Sequence, residues 1–124
     1  MKVRALLVIA LVALALACKD HEAEAAGVTK QYLAQMRAAI AKYKADTGQY
    51  PASLDDLVPN YLRRVPADPL TRAVDWRVTT EETVLPSADF QTTTTAGEAP
   101  RAVIIDVRSN APGTDRNGVP YANY

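Results

Sequence analysis

The feature that most constrains this chain is an apolar run at its N-terminus, closed by its one cysteine. After the short basic stretch Met1-Lys2-Val3-Arg4, residues Ala5 to Ala17 are unbroken Ala, Leu, Val and Ile, and Cys18 follows directly. A membrane-crossing helix needs about 20 apolar residues, more than this run holds. A secretory apolar region takes roughly 7–15, which the run does supply. Residues 1–17 therefore read as a signal peptide. A single cysteine cannot form an internal disulfide, so the remainder must be held by a hydrophobic core.

Ala15-Leu16-Ala17-Cys18 resembles a bacterial lipobox, with Ala15 where Leu is commoner. The resemblance implies a diacylglycerol on the Cys18 thiol and cleavage just before it, so that Cys18 opens the mature chain. Two or three acyl chains hold a membrane far better than one, whose affinity is marginal. The other reading of Cys18 is an incidental thiol near a signal cleavage site. Lys19 follows, not Asp. By resemblance to lipoprotein sorting in one class of bacteria, this implies the periplasmic face of the outer membrane over the inner membrane.

Without residues 1–17 the chain keeps 107 of its 124 residues, enough for one small domain with a modest core. The signal holds two of the 14 basic residues and none of the 14 acidic ones, which leaves a net charge of −2. Nucleic acid as a partner would want a basic face, and none is present.

Residues 18–27 are small and polar and read as a tether. His21 lies there beside Glu22 and Glu24, either as a solvated linker histidine or as part of a metal site. The clearest helix is Val28 to Thr47, where Leu33, Met36, Ile40 and Tyr43 form one apolar stripe at spacings of 3, 4 and 3. Thr29 is a candidate cap at its start, Gly48 a natural stop, and Pro51 a bar to continuation. Ser53 with Asp56 marks a second, shorter helix ended by Pro59. Asn60 to Pro69 is a loop stiffened by Pro66 and Pro69, and it carries the pair Arg63-Arg64, an anion site or a solvated or carboxylate-paired surface.

From Val74 the period changes. Asp75 to Thr79 alternates like a half-buried strand, Glu82 to Leu85 is a candidate partner, and Ala102 to Arg108 is the strongest strand. Ser87 to Pro100, with Thr92 to Thr95, reads as a long surface connection, and Ser109 to Tyr124 as a structured loop. The expectation is an α+β domain over 28–124, a long helix packed on a small antiparallel sheet.

Three segments now resemble one family. Tyr43-Lys44-Ala45-Asp46-Thr47-Gly48-Gln49-Tyr50-Pro51, then Tyr61 to Pro69 with Pro66 and Asp68-Pro69, then Ile105 to Ser109 with Gly113, Asp115 and Gly118, are similar in order and spacing to the major, G-type pseudopilin of type II secretion. The closing Tyr121-Ala122-Asn123-Tyr124 is similar to that family's aromatic C-terminus. The resemblance covers about residues 28 to 124. It implies architectural roles for Tyr43, Gly48, Tyr50, Pro51, Pro66, Asp68 and Pro69, and a calcium loop near the C-terminus. The residues at hand for that loop are Asp106, Ser109, Asn110, Asp115 and Asn117, although the family's acidic pair is not intact. The family's prepilin start, a Gly-Phe cleavage site with a Glu in the apolar helix, is replaced here by the lipobox.

These readings imply a lipid-anchored pseudopilin-like structural or assembly component, acting with a type II secretion or type IV pilus-like machine. A binding module using the Thr-rich loop is the alternative. Catalysis is not expected: the one histidine lies in the tether, the one cysteine is the anchor, and Asp55-Asp56 diverge on a helix.

Overall fold

The computed structural model describes residues 2–83 and 101–124. A long helix lies across a two-stranded antiparallel sheet, so the fold is α+β as expected. Helix α1 runs Lys2–Thr47 and does not begin near Val28. Nothing in residues 18–27 stops a helix: there is no proline, and Lys, Glu and Ala all have high helix propensity. Gly27 is helical too, and with nothing within 4 Å of a Cβ there it serves no close approach. The segment expected as a tether is the middle of α1.

The helix ends as its sequence requires. Gly48 takes φ 78°, and its amide donates to the Lys44 carbonyl at 2.8 Å. The Thr47 hydroxyl donates to the Tyr43 carbonyl at 2.7 Å. Tyr50 folds back so that the Lys44 ammonium stands 4.2 Å from its ring centre. Pro51 is buried, and its carbonyl accepts the Ile104 amide at 2.7 Å, which ties the chain after α1 to the sheet.

The apolar stripe is core. Leu33, Met36 and Ile40 are buried, Tyr43 packs at the margin, and Ala26 and Ala39 extend the buried face. Leu57, Trp76, Ile104, Val107, Ala111, Tyr121 and Tyr124 cover it. The second helix is only a 3-10 turn, Leu54–Leu57, in which the Asp56 carboxylate accepts the Ala52 and Ser53 amides at 2.9 and 3.0 Å.

Strand β1 is Arg77–Thr83 and β2 is Arg101–Arg108. The register changes between Thr79, opposite Asp106, and Thr80, opposite Ile104, so Ile105 is an extra residue on β2. This bulge puts Ile104 and Val107, three residues apart, on the same face, and both join the core cluster, while Val103 is buried outside it. Two expectations are corrected. Glu82 and Thr83 continue β1 and form no separate partner strand, because Thr80-Glu81 contains no turn-forming residue. The alternation at Asp75 to Thr79 buries only Trp76, whose indole donates to the Pro66 carbonyl at 2.7 Å; Val78 is 38% exposed. Val84 and Leu85, and the connection expected at Ser87 to Pro100, lie outside the described residues.

Candidate functional site

The two ends of α1 differ in what surrounds them. Every described side chain from Val3 to Glu22 is exposed, and the large apolar ones from Val3 to Leu16 are 54–71% exposed. Packing begins with half-buried Ala23 and buried Ala26. Cys18 lies within the unpacked part, exposed and with a free thiol. Among the described residues no helix is long and apolar enough to cross a membrane.

Just past Cys18 the C-terminal segment clasps the helix. Arg116 donates to Asp20 at 2.9 Å, and the Tyr121 hydroxyl donates to Glu22 at 2.9 Å. About two turns further on, the Lys30 ammonium is 3.7 Å from the Asp115 carboxylate and 4.1 Å from the centre of the Tyr124 ring. Asp115 also accepts the Asn117 and Val119 amides at 2.8 and 3.0 Å and the Tyr124 hydroxyl at 2.8 Å. Tyr121 and Tyr124 meet edge to face at 5.4 Å. An open groove of about 770 Å³ runs beside this clasp, with Leu16, Asp20 and Lys30 on one wall and Thr114 to Asn117 on the other. A second groove, of about 500 Å³, has Cys18, His21 and Glu22 facing Pro69, Leu70 and Arg72.

The clasp is electrostatically tuned. The Val119 amide, then the Tyr124 hydroxyl, the Asn117 amide and Lys30, hold the Asp115 carboxyl below its ordinary range despite burial. Burial first, and then the Asp115 carboxylate, push the Tyr124 hydroxyl up to about 12. Tyr121 is raised in the same way, by burial and by Glu22.

Deeper in, Asp68 is fully buried at the junction of helix, loop and sheet. One carboxylate oxygen accepts the Thr29 hydroxyl at 2.8 Å and the Leu70 amide at 2.9 Å. The other accepts the Ser109 hydroxyl at 2.5 Å, and the Ser109 oxygen in turn accepts the Ala111 amide at 3.1 Å. Thr29 therefore caps nothing: it is an interior helix residue that cross-links α1 to the Asp68 loop. The sequence did carry a signal for this, since Thr29 is four residues before Leu33 on the apolar stripe and so points into the core. The Asp68 loop closes on itself, with the Arg72 amide donating to the Asp68 carbonyl at 2.7 Å. Buried and saturated, this cluster cross-links the fold and presents nothing to a ligand.

Four of the five residues considered for calcium have side chains bonded within the protein, and Asn117 supplies its backbone amide to Asp115. Asp106 pairs with Arg37 at 2.8 Å and with Arg108 at 3.4 Å, and Arg37 also donates to the Val107 and Tyr124 carbonyls at 2.9 and 2.8 Å. Burial, which is the largest single influence on Asp106, raises its carboxyl, but Arg37, the Val107 amide and Arg108 together hold it below its ordinary value. Ser109 binds Asp68, the Asn110 side-chain carbonyl accepts Arg77 at 3.3 Å, and Asp115 with Asn117 belongs to the clasp. Among the described residues no three acidic, histidine or cysteine side chains form a group that could hold a metal. His21 is exposed, as are Arg63 and Arg64.

The residues of the three quoted segments take the following places. Tyr43 meets Tyr61 edge to face at 5.4 Å, Pro66 receives the Trp76 indole, Asp68 forms the buried junction, and Pro69 leads into the loop beside α1. No protein-family model, curated protein or solved structure matches the chain.

Proposed function

We propose that this chain is an envelope lipoprotein, exported by residues 1–17 and anchored by acyl chains on Cys18. Its domain then acts as a pseudopilin-like structural or assembly component beside a type II secretion or type IV pilus-like machine. One observation carries the anchoring: no described side chain between Val3 and Cys18 is even half-buried, while packing starts within two turns after Cys18. Cleavage before Cys18 would take nothing from the core. The apolar stretch as a helix is about 20 Å long at 1.5 Å per residue, short of the ~30 Å hydrocarbon core of a bilayer. An exposed apolar helix of that length suits a removable export signal better than a permanent span. The assembly role rests on the resemblance of the three quoted segments. It is supported by a long helix laid on a small sheet and by the architectural use of Gly48, Tyr50, Pro66 and Asp68.

Intact mass and membrane fractionation of wild type beside Cys18→Ala test this reading. The expected mature protein begins at Cys18, carries added acyl mass, and leaves the membrane when Cys18 is replaced. An uncleaved chain held in the membrane in both forms would overturn it. Co-purification of the membrane-bound protein with secretion or pilus components tests the assembly role; a protein that purifies without any of them speaks against it.

A further inference from the structure

Lipid anchors are ordinarily separated from their domains by a flexible linker, and the sequence here gives the impression of one at residues 18–27. The structure replaces it with helix that the domain grips. Arg116 holds Asp20 and Tyr121 holds Glu22, so the clasp begins two residues past Cys18, about 3 Å along the axis. Two surface segments reach the level of the anchor. Of the residues that the mature chain keeps, Asp20 and Glu22 share a groove with Thr114 to Asn117, and Cys18 and His21 share one with Pro69, Leu70 and Arg72.

Resting on the lipoprotein reading above, we infer that the anchored domain sits directly on the bilayer, with segments 69–72 and 114–117 in the headgroup layer. The occupant of this surface is the phospholipid headgroup region of the membrane that holds the acyl chains. Three observations argue for it. Acyl chains on Cys18 must enter the bilayer there, and the chain leaving Cys18 is helix that the domain contacts at Asp20 and Glu22. The two segments flank that helix at the same height, so the domain cannot stand away from the surface without breaking the clasp. Their charge is mixed, with Arg72 and Arg116 beside Asp20, Glu22 and Asp115, which suits a zwitterionic surface. At the opposite end, Thr47 lies about 44 Å further along the helix from Cys18, so the Gly48–Asp55 region points into solvent.

The test places a fluorophore on single introduced cysteines, Asn117→Cys, Arg72→Cys and, as the distal control, Asp55→Cys, in the acylated protein reconstituted into zwitterionic phosphatidylethanolamine–phosphatidylcholine vesicles. Acylation of Cys18 blocks its thiol, so each label goes to one place, and intact mass confirms the acyl load in the same sample. Labels at 117 and 72 are expected to be quenched severalfold more by headgroup-attached quenchers than the label at 55, and to be shielded from aqueous iodide. A Gly/Ser insertion of about ten residues after Lys19, with an r.m.s. span of ~18 Å, is expected to erase that difference. Equal quenching at all three positions in a fully acylated protein would overturn the inference and leave the lipoprotein reading standing. Absence of acyl mass on Cys18 would overturn both.

Discussion

From Val3 to Leu16 and from Ala26 to Tyr43, α1 has one backbone geometry and two opposite relations to its surroundings. The first stretch is apolar on all sides from Ala5 on and leaves its large apolar side chains exposed; the second is apolar on one stripe and buries it. Helix formation needs only residues of high helix propensity, which Ala and Leu supply in the first stretch and Ala, Lys, Gln and Arg in the second. Packing needs a face of limited width and a partner of matching shape, which only the second has. Continuity of the helix therefore says little about where the domain begins. The burial pattern says more, and it puts the boundary between Cys18 and Ala26.

The comparison can be broken most forcefully from the packed side. Met36 is fully buried at the centre of the stripe. Met36→Ala is expected to remove about 2–5 kcal/mol of stability through lost burial and a residual cavity. Urea unfolding would show a lower midpoint at an unchanged slope. A loss under about 1 kcal/mol would mean that the stripe is not the core of the domain.

The clasp stands between the two stretches, and pH sharpens its role. Asp115 and Asp106 both have carboxyls held below their ordinary range, so what they contribute is present above the unfolded value near ~3.9 and is lost as pH falls through the lower folded value. Tyr124 runs the other way: its contribution is complete below the unfolded value near ~10 and is lost as pH rises toward about 12. Tyr121, also raised, adds in the same alkaline direction. Unfolding midpoints across the pH range should therefore fall below about pH 4 and again above about pH 10. Tyr124→Phe should shrink the alkaline fall and also weaken the acid one, because Asp115 loses a donor. If Tyr124→Phe left both limbs unchanged, the Asp115–Tyr124 bond would contribute nothing to stability.

Much of this was legible in the sequence wherever a local signal and the tertiary outcome agree. The stripe Leu33, Met36, Ile40, Tyr43, the stop at Gly48 and the fold-back of Tyr50 follow from spacing and from residue type, because each is decided within one or two helical turns. The start of α1 was not legible. Small polar residues between Lys19 and Gly27 are equally compatible with a linker or a helix, and the choice falls to Arg116 and Tyr121, nearly a hundred residues away. The buried Asp68 junction was half legible. Asp68 and Ser109 stood in recognisable motifs, but their partnership is a contact 41 residues apart that no local pattern encodes. Asp106 and Asp115 illustrate the same limit. The family resemblance implied a cation loop that includes both, and no local pattern showed that Asp106 pairs with Arg37 or that Asp115 meets a turn, a tyrosine and Lys30.

The smallest expected effect comes from the unpacked stretch, and it tests the boundary from the other side. Ile9 is 64% exposed and touches no buried residue of the domain cluster. In the uncleaved precursor held in detergent, Ile9→Ala is expected to shift the unfolding free energy of the domain by no more than about 0.5 kcal/mol, the range for surface positions. The same chemical change, loss of a large apolar side chain, should therefore cost several kcal/mol at Met36 and almost nothing at Ile9. What Ile9→Ala does remove is about 2 kcal/mol of apolar transfer energy from the export segment. Its effect should appear as slower processing before Cys18 and not as a less stable fold. A destabilisation as large as that of Met36→Ala would mean that the apolar run is covered by the domain, and cleavage there would then strip part of the core.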